Sequence, residues 1–304
     1  MRRERFDAVD GVLLLDKAAG PSANACLQRA RTLLAARKAG HTGTLDPLAS
    51  GLLALTFGEA TKFSGQLLDA DKSYEARLVL GATTATGDAE GEVLQQQPVD
   101  VTRDRFEQVL ASFTGAISQV PPMHSALKRD GQPLYRLARK GISVDRGPRT
   151  VWVHRLWTIH WDRLGPTIGV ECGKGLYVRV LGEDLGASLG CGAHLGALRR
   201  TRIGMFDLAD AIGLEELERL CLDDRRARLL PVDALLQALP RIDLDRHASE
   251  QLEHGGKVAC GAASAERARV YGPQGRLLGV ASVQQGVLIA RRLLNQQRAM
   301  EPVL

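Results

Sequence analysis

The sequence predicts an α/β protein with a main domain over residues 1–230 and a smaller one over 231–304. Three observations carry that prediction. Short apolar runs of strand length are bounded by turn formers, as in GVLLLDK at 11–17 before Gly20-Pro21. Apolar residues at helical spacing lie between those runs, as in Phe106, Val109, Leu110 and Phe113. After Pro231 short strands follow one another at close intervals, the pattern of a small β-barrel. A chain of 304 residues is long enough for a large core and for two domains.

The elements follow in order. Residues 11–17 read as a buried strand. Ser22 is placed to cap a helix whose apolar face is Cys26, Ala30, Leu33 and Leu34, with Gly40 as its stop. An irregular loop precedes an apolar run from Leu52 to Phe57, and residues 60–69 look helical. Tyr74, Ala76, Leu78 and Leu80 alternate with Glu75, Arg77 and Val79, which makes a half-buried strand. Residues 82–92 (ATTATGDAEGE) read as a polar loop. A helix around 106–113 closes at Gly115. Pro121-Pro122 and Gly147-Pro148 bracket an inserted lobe, with a short helix between Pro133 and Gly141. Residues 150–161 and 167–172 are strands. A helix carries Val178, Leu181, Leu185 and Leu189, and 194–206 are extended. Leu214, Leu217 and Cys221 imply a short helix, and Asp223 to Arg228 a charged break. Helices at 232–239 and 247–254 lead into strands near 267–271, 277–283 and 287–292.

Composition is ordinary for a soluble globular chain, with 44% hydrophobic and 25% charged residues. No apolar run approaches the roughly 20 residues needed to span a bilayer. The charged N-terminus lacks the long apolar region of a secretory signal, so the cytoplasm is the expected compartment. Cys26, Cys172, Cys191, Cys221 and Cys260 are odd in number and widely spaced, which points to reduced thiols and away from structural zinc. The net charge is +5. Residues 121–150 hold Lys128, Arg129, Arg136, Arg139, Lys140, Arg146 and Arg149 against Asp130 and Asp145, an excess equal to that of the whole chain. Arg199, Arg200 and Arg202 form a second cluster. Such concentrations are the footprint of phosphate contacts, although short charge runs are more often solvated surface.

The densest chemistry lies in Gly40-His41-Thr42-Gly43-Thr44-Leu45-Asp46-Pro47-Leu48-Ala49-Ser50-Gly51. One carboxylate and one imidazole sit among turn formers between two periodic segments, which is where catalytic groups concentrate. Pro47 biases Asp46 toward extended backbone and helps aim its carboxylate out of the loop. The loop lacks the Lys-Ser/Thr pair of a P-loop, and Ser50 lacks the framing of a nucleophile elbow. A structural turn remains open on composition alone.

The segment GHTGTLDPLASGLL resembles the signature GHTGxLDPxAxGxL of the tRNA pseudouridine-55 synthases (the TruB family), bacterial enzymes that isomerise one uridine in the T-loop of tRNA. The run Lys174 to Leu181 (KGLYVRVL) is similar to that family's KGxYVRxL, and Asp71-Lys72-Ser73-Tyr74 to its second signature. LLLDKAAGPS resembles the opening motif, with Ala18 where Pro is usual. PPMHSALK resembles the motif of the inserted lobe, with His124 where Tyr is frequent.

The resemblance implies that Asp46 is the catalytic residue and Arg179 its cationic partner, with Tyr177 close by. It implies that Tyr74 stacks on the target uracil, that His41 helps displace it, and that Leu198 lines its pocket. It implies an α+β fold with a mixed, largely antiparallel central sheet, a basic RNA-binding thumb at 121–150 and a PUA-like C-terminal domain. Lys128, Arg129, Arg136, Arg139, Lys140, Arg199 and Arg200 are the expected RNA contacts. The implied partner is tRNA, gripped by its T-arm and acceptor side. No metal, cofactor, membrane or protein partner is expected, and the chain is expected to act as a monomer. A protein that only binds or folds RNA would need the basic lobe but not a shielded carboxylate, so Asp46, Tyr74 and Arg179 separate the two readings.

Overall fold

The computed structural model of the chain describes residues 6–125, 127–129 and 131–295. Residues 296–304 of the expected C-terminal domain and the side chain of Lys128 lie outside the described residues. The elements in chain order are β1 (Gly11–Lys17), α1 (Ala23–Leu33), β2 (Ala39–His41), β3 (Ser50–Phe57), a 3-10 segment (Gly58–Leu67), β4 (Lys72–Leu80), β5 (Ala82–Thr84), β6 (Val93–Gln96), α2 (Arg103–Ser112) and β7 (Gly115–Gln119). They continue with β8 (Lys128–Arg129), β9 (Gln132–Pro133), α3 (Leu134–Ala138), β10 (Arg149–His160), β11 (Thr167–Cys172), α4 (Val178–Leu189), β12 (Ala193–Ile203), β13 (Phe206–Asp207), β14 (Ile212–Gly213), α5 (Leu214–Arg219) and α6 (Leu222–Ala227). The C-terminal part holds β15 (Arg241–Asp243), α7 (Arg246–Glu253), β16 (Val258–Ala259), β17 (Ala265–Tyr271), β18 (Leu277–Gln284) and β19 (Val287–Leu293).

The central sheet runs β14-β1-β3-β12-β4-β11-β10-β7, with β2 paired to β3 and β13 to β12. It is mixed and largely antiparallel: only β1 with β14 and β12 with β3 are parallel. Strand β3 is apolar on both faces because both faces are covered. Leu53, Leu55 and Phe57 join the core under α1, α2 and α4. Leu52 and Ala54 face the other way, against Phe63 and Leu67 of the 3-10 segment and Leu235 and Leu236. The C-terminal strands form a five-stranded half-barrel, β15-β17-β18-β19-β16, around its own core of Val270, Leu278, Ala281 and Leu288. Val280 and the bond from Lys62 Nζ to the Leu293 carbonyl (3.0 Å) tie it to the main sheet.

Several elements differ locally from the sequence expectation. Ser22 does cap α1, accepting from the Ala25 amide at 3.1 Å. The helix stops earlier than Gly40, because Ala35 turns left-handed (φ 50°) and Gly40 pairs within β2. The expected helices at 60–69 and 232–239 are 3-10 segments, Gly58–Leu67 and Val232–Leu236. The charged break is α6, whose Asp223 and Asp224 sit at its N-terminus and Arg225 and Arg226 in its last turn, where each sign suits the helix dipole. The polar loop at 82–92 is largely the β5–β6 hairpin connection, and it carries a buried carboxylate, Asp88. The basic lobe leaves and rejoins the sheet at adjacent points, since Gln119 of β7 pairs directly with Arg149 of β10. No helix among the described residues is long and apolar enough to cross a membrane.

Candidate active site

The loop bearing Asp46 lies between β2 and β3, at the edge of the central sheet where β3 meets β12. Its irregular backbone is held by a lysine. Lys17, at the end of β1 and 1% exposed, donates through Nζ to the carbonyls of Ala49 (2.6 Å), Ala18 (3.0 Å) and Pro47 (3.2 Å). Burial lowers the Lys17 pKa, and the nearby Cys26 and Asp46 oppose that shift. The Gly20 amide donates to the Pro47 carbonyl at 2.8 Å, and the Thr42 amide to the Ala54 carbonyl at 3.1 Å. Gly51 closes the loop onto β12. Its φ is +96°, and a Cβ there would stand 2.3 Å from the Arg200 carbonyl, so only glycine lets the strands approach this closely.

Asp46 projects from this loop with its side chain 42% exposed, and its Oδ2 lies 3.0 Å from Nη2 of Arg179. Arg179 enters from the first turn of α4 and is 5% exposed. Its other contacts fix its plane. Nη1 donates to the Thr86 carbonyl (3.0 Å), Nη2 to the His124 carbonyl (2.6 Å), and Nε lies 3.6 Å from Asp88 Oδ2. Asp88 is in turn held by the Thr86 hydroxyl (2.5 Å) and the Glu90 amide (3.1 Å). The guanidinium thus bridges three segments and meets Asp46 through one oxygen, not through the two-oxygen fork that a planar pair permits. The catalytic candidate is correspondingly half-exposed, where a shielded acid was expected; a carboxylate that must touch a substrate needs an open side.

Tyr74 of β4 lies beneath the loop, 9% exposed, in the same core cluster as Leu45, Ala49 and Leu198. Burial raises its pKa, opposed chiefly by Arg200, so the phenol is neutral at neutral pH. Leu198 is opposite Ala76 on β12, and Arg200 is opposite Tyr74. His41 ends β2; its Nδ1 is buried without a partner, and burial followed by the charge of Arg200 lowers its pKa. The imidazole is therefore neutral at neutral pH, an apolar-faced plate suited to stacking. Tyr177 caps α4, with its backbone tied to the Gln119 side chain (3.1 and 3.3 Å) and Arg149 lying 5.1 Å over its ring.

The basic residues divide. Arg129, Arg136, Arg139 and Lys140 are exposed on the lobe. Arg199 is partly exposed and pairs with Asp16 at 2.8 Å. Arg200 corrects the surface expectation: it is 1% exposed, donates to the Leu52 carbonyl at 2.8 Å, and cannot reach a phosphate on the outside. A β-bulge between Leu195 and Ala197 shifts the alternation of β12 and turns Arg200 inward. Asp88 and Lys17 are the functional candidates that sequence reasoning missed. Among the described residues no group of three His, Cys, Asp or Glu side chains is arranged to hold a metal ion.

Residues 31–178 match the model of the TruB family pseudouridylate synthase N-terminal domain, 179–237 that of the tRNA pseudouridylate synthase B C-terminal domain, and 240–294 that of pseudouridine synthase II TruB, C-terminal. The chain is 53% identical over 294 residues to tRNA pseudouridine synthase B of Dechloromonas aromatica (strain RCB), covering 97% of this chain and 98% of that protein. It is 54% identical over 297 residues to the protein of the same name from Ralstonia nicotianae, covering 94% and 95% respectively. Among solved structures, a chain in the crystal structure of a Cbf5-Nop10-Gar1 complex superposes with a TM-score of 0.73 at 26% identity, covering 96% of this chain and 85% of that one. With its loop carboxylate beside a buried arginine and its near full-length likeness to these relatives, the chain belongs to the TruB family of pseudouridylate synthases.

Proposed function

We propose that the protein isomerises a uridine of tRNA to pseudouridine, at position 55 of the T-loop. The observation that carries this reading is the half-exposed Asp46 carboxylate held 3.0 Å from a buried Arg179 above Tyr74 and Leu198. Isomerisation breaks the N1–C1′ bond, turns the base, joins C5 to C1′ and leaves the C5 proton replaced by one on the freed nitrogen. Nothing is oxidised and no water is added, so one positioned anion and a pocket for the detached base suffice. Asp46 supplies the anion. Arg179, 3.0 Å away, aims it. Tyr74 and Leu198 wall the base off from solvent, which protects the opened intermediate. The neutral His41 ring takes the space that the everted base leaves, and stacking offsets an eversion cost of a few kcal/mol. Tyr177 orients the entry to the Arg179 helix beside the pocket.

The exposed Arg129, Arg136, Arg139 and Lys140, with Lys128 and Arg199, grip tRNA phosphates, while the C-terminal half-barrel meets the acceptor side. The protein works as a monomer in the cytoplasm, without a cofactor. Two main measurements test this reading. Incubation of unmodified tRNA with the purified protein, followed by nucleotide-resolution mapping, yields pseudouridine at position 55; no conversion there overturns the assignment. Replacing Arg136, Arg139 and Lys140 together with Ala weakens tRNA binding and flattens the salt dependence by about one unit of slope per lost phosphate contact. An affinity and slope unchanged across the salt series would remove the lobe from the interface.

A further inference from the structure

Arg200 is among the largest fully buried side chains of the molecule, and no carboxylate pairs with it among the described residues. Its Nε donates to the Leu52 carbonyl at 2.8 Å, and its Nη2 lies 3.5 Å from the Gly43 carbonyl. Across the strand pair it is the register partner of Tyr74; burial raises the pKa of that phenol, and the charge and hydrogen bonding of Arg200 oppose the rise. Burying a guanidinium without an anion is expensive. Pinning Gly43 to Leu52 needs only a neutral donor. The charge therefore calls for a second reason, and the phenol supplies one.

We propose that Arg200 is a positioning residue that holds the Tyr74 hydroxyl as a hydrogen-bond donor toward the base in the pocket. This rests on the isomerase reading above. A guanidinium can only donate. When it donates to the phenol oxygen, the phenol keeps its own proton for another acceptor. The site's acceptors are the Asp46 carboxylate and the carbonyl oxygens of a bound uracil. A cation at the phenol oxygen also strengthens the bond that the phenol gives, and does so in a site where charge is poorly screened. Burial, with the charge of the same guanidinium second, lowers the His41 pKa, so Arg200 acts on both rings that handle the base.

The contribution of Arg200 should then pass through the Tyr74 hydroxyl, and a double-mutant cycle reads that dependence. Single-turnover rates on unmodified tRNA are measured for the parent protein, Arg200→Met, Tyr74→Phe and the double variant, with tRNA affinity and the unfolding midpoint followed in each. Arg200→Met is expected to slow turnover about 100-fold in the parent. In the Tyr74→Phe background, where the ring remains but the hydroxyl is gone, it should slow turnover no more than about threefold. Affinity should hold within about threefold throughout. Equal losses in both backgrounds, or no loss in the parent, overturn the proposal and leave Arg200 a scaffold. If Arg200→Met does not fold, Arg200→Lys, which keeps the charge on a different donor geometry, is taken through the same cycle with the same criterion. Robust parent turnover with an additive cycle rejects only the Arg200 assignment. Absent parent turnover rejects the isomerase reading, and this inference with it.

Discussion

Asp46→Ala abolishes uridine isomerisation, a loss of more than about ten-thousand-fold, on the scale of removing an enzyme's single reacting group. It leaves tRNA affinity essentially intact. The two halves of this expectation have separate physical origins. On the proposed reading, affinity for tRNA comes from phosphate contacts spread over the lobe and the sheet edge, and Asp46 makes none of them. Deleting an anion near the RNA backbone removes a little repulsion, so binding should hold or tighten slightly. Stability should also hold, within about 1 kcal/mol, because the Asp46 carboxylate is half-exposed and partly solvated. Arg179 does not lose its counter-charge, since Asp88 remains beside Nε. Base analysis and a binding titration on one tRNA preparation check this. Full conversion by the alanine variant would remove Asp46 from the chemistry, and lost binding would recast it as an RNA contact.

Arg179→Met should unfold the protein by about 3–5 kcal/mol as well as silence it. Four groups depend on this guanidinium: the Asp46 and Asp88 carboxylates and the Thr86 and His124 carbonyls. Asp88 has a side chain only 4% exposed, so removing its cation strands a charge in the interior. Asp88→Asn is the instructive companion. It keeps the shape and the Thr86 contact, loses the charge, and leaves Arg179 ion-paired with Asp46 among the described residues. Turnover should fall about 10- to 100-fold because Arg179 is no longer held in plane from behind. The double variant, with neither charge, should recover much of the stability lost by Arg179→Met and none of the activity. Denaturant unfolding with single-turnover assays separates these outcomes. An unchanged unfolding midpoint in Arg179→Met would mean that the buried pair is not a structural element.

The central loop and most strands were legible because their signals are local. GHTGTLDPLASGLL declares a loop by its turn formers, and the alternation through Tyr74 declares a strand by its period. Residues whose roles depend on distant packing were not legible. Asp88 lies in ATTATGDAEGE, where Asp is a common turn former, and its long-range neighbours are Leu195 of β12, with which it forms a β-bridge, and the Arg179 guanidinium. Lys17 closes an apolar strand and looks like a solvated end until the Asp46 loop folds over it. Arg199-Arg200 reads as a surface pair; strand alternation points the two to opposite faces, and the upstream bulge that decides which one turns inward has no signature in the letters. The left-handed Ala35 that ends α1 is equally silent, since the sequence offers Gly40 as the natural stop.

The lobe at 121–148 leaves β7 and returns to β10 at a hydrogen-bonded pair of positions. An insertion anchored that way is silent to the sheet: the same two strands would pair across a tight hairpin. Its length and charge are therefore free to drift among descendants without cost to the scaffold. Among the described residues a hydrogen bond limits that freedom, the one in which the His124 carbonyl accepts from Arg179. On the proposed reading, grip and chemistry are separable modules that meet at that bond, so grafting another lineage's lobe onto this sheet requires keeping that carbonyl in place.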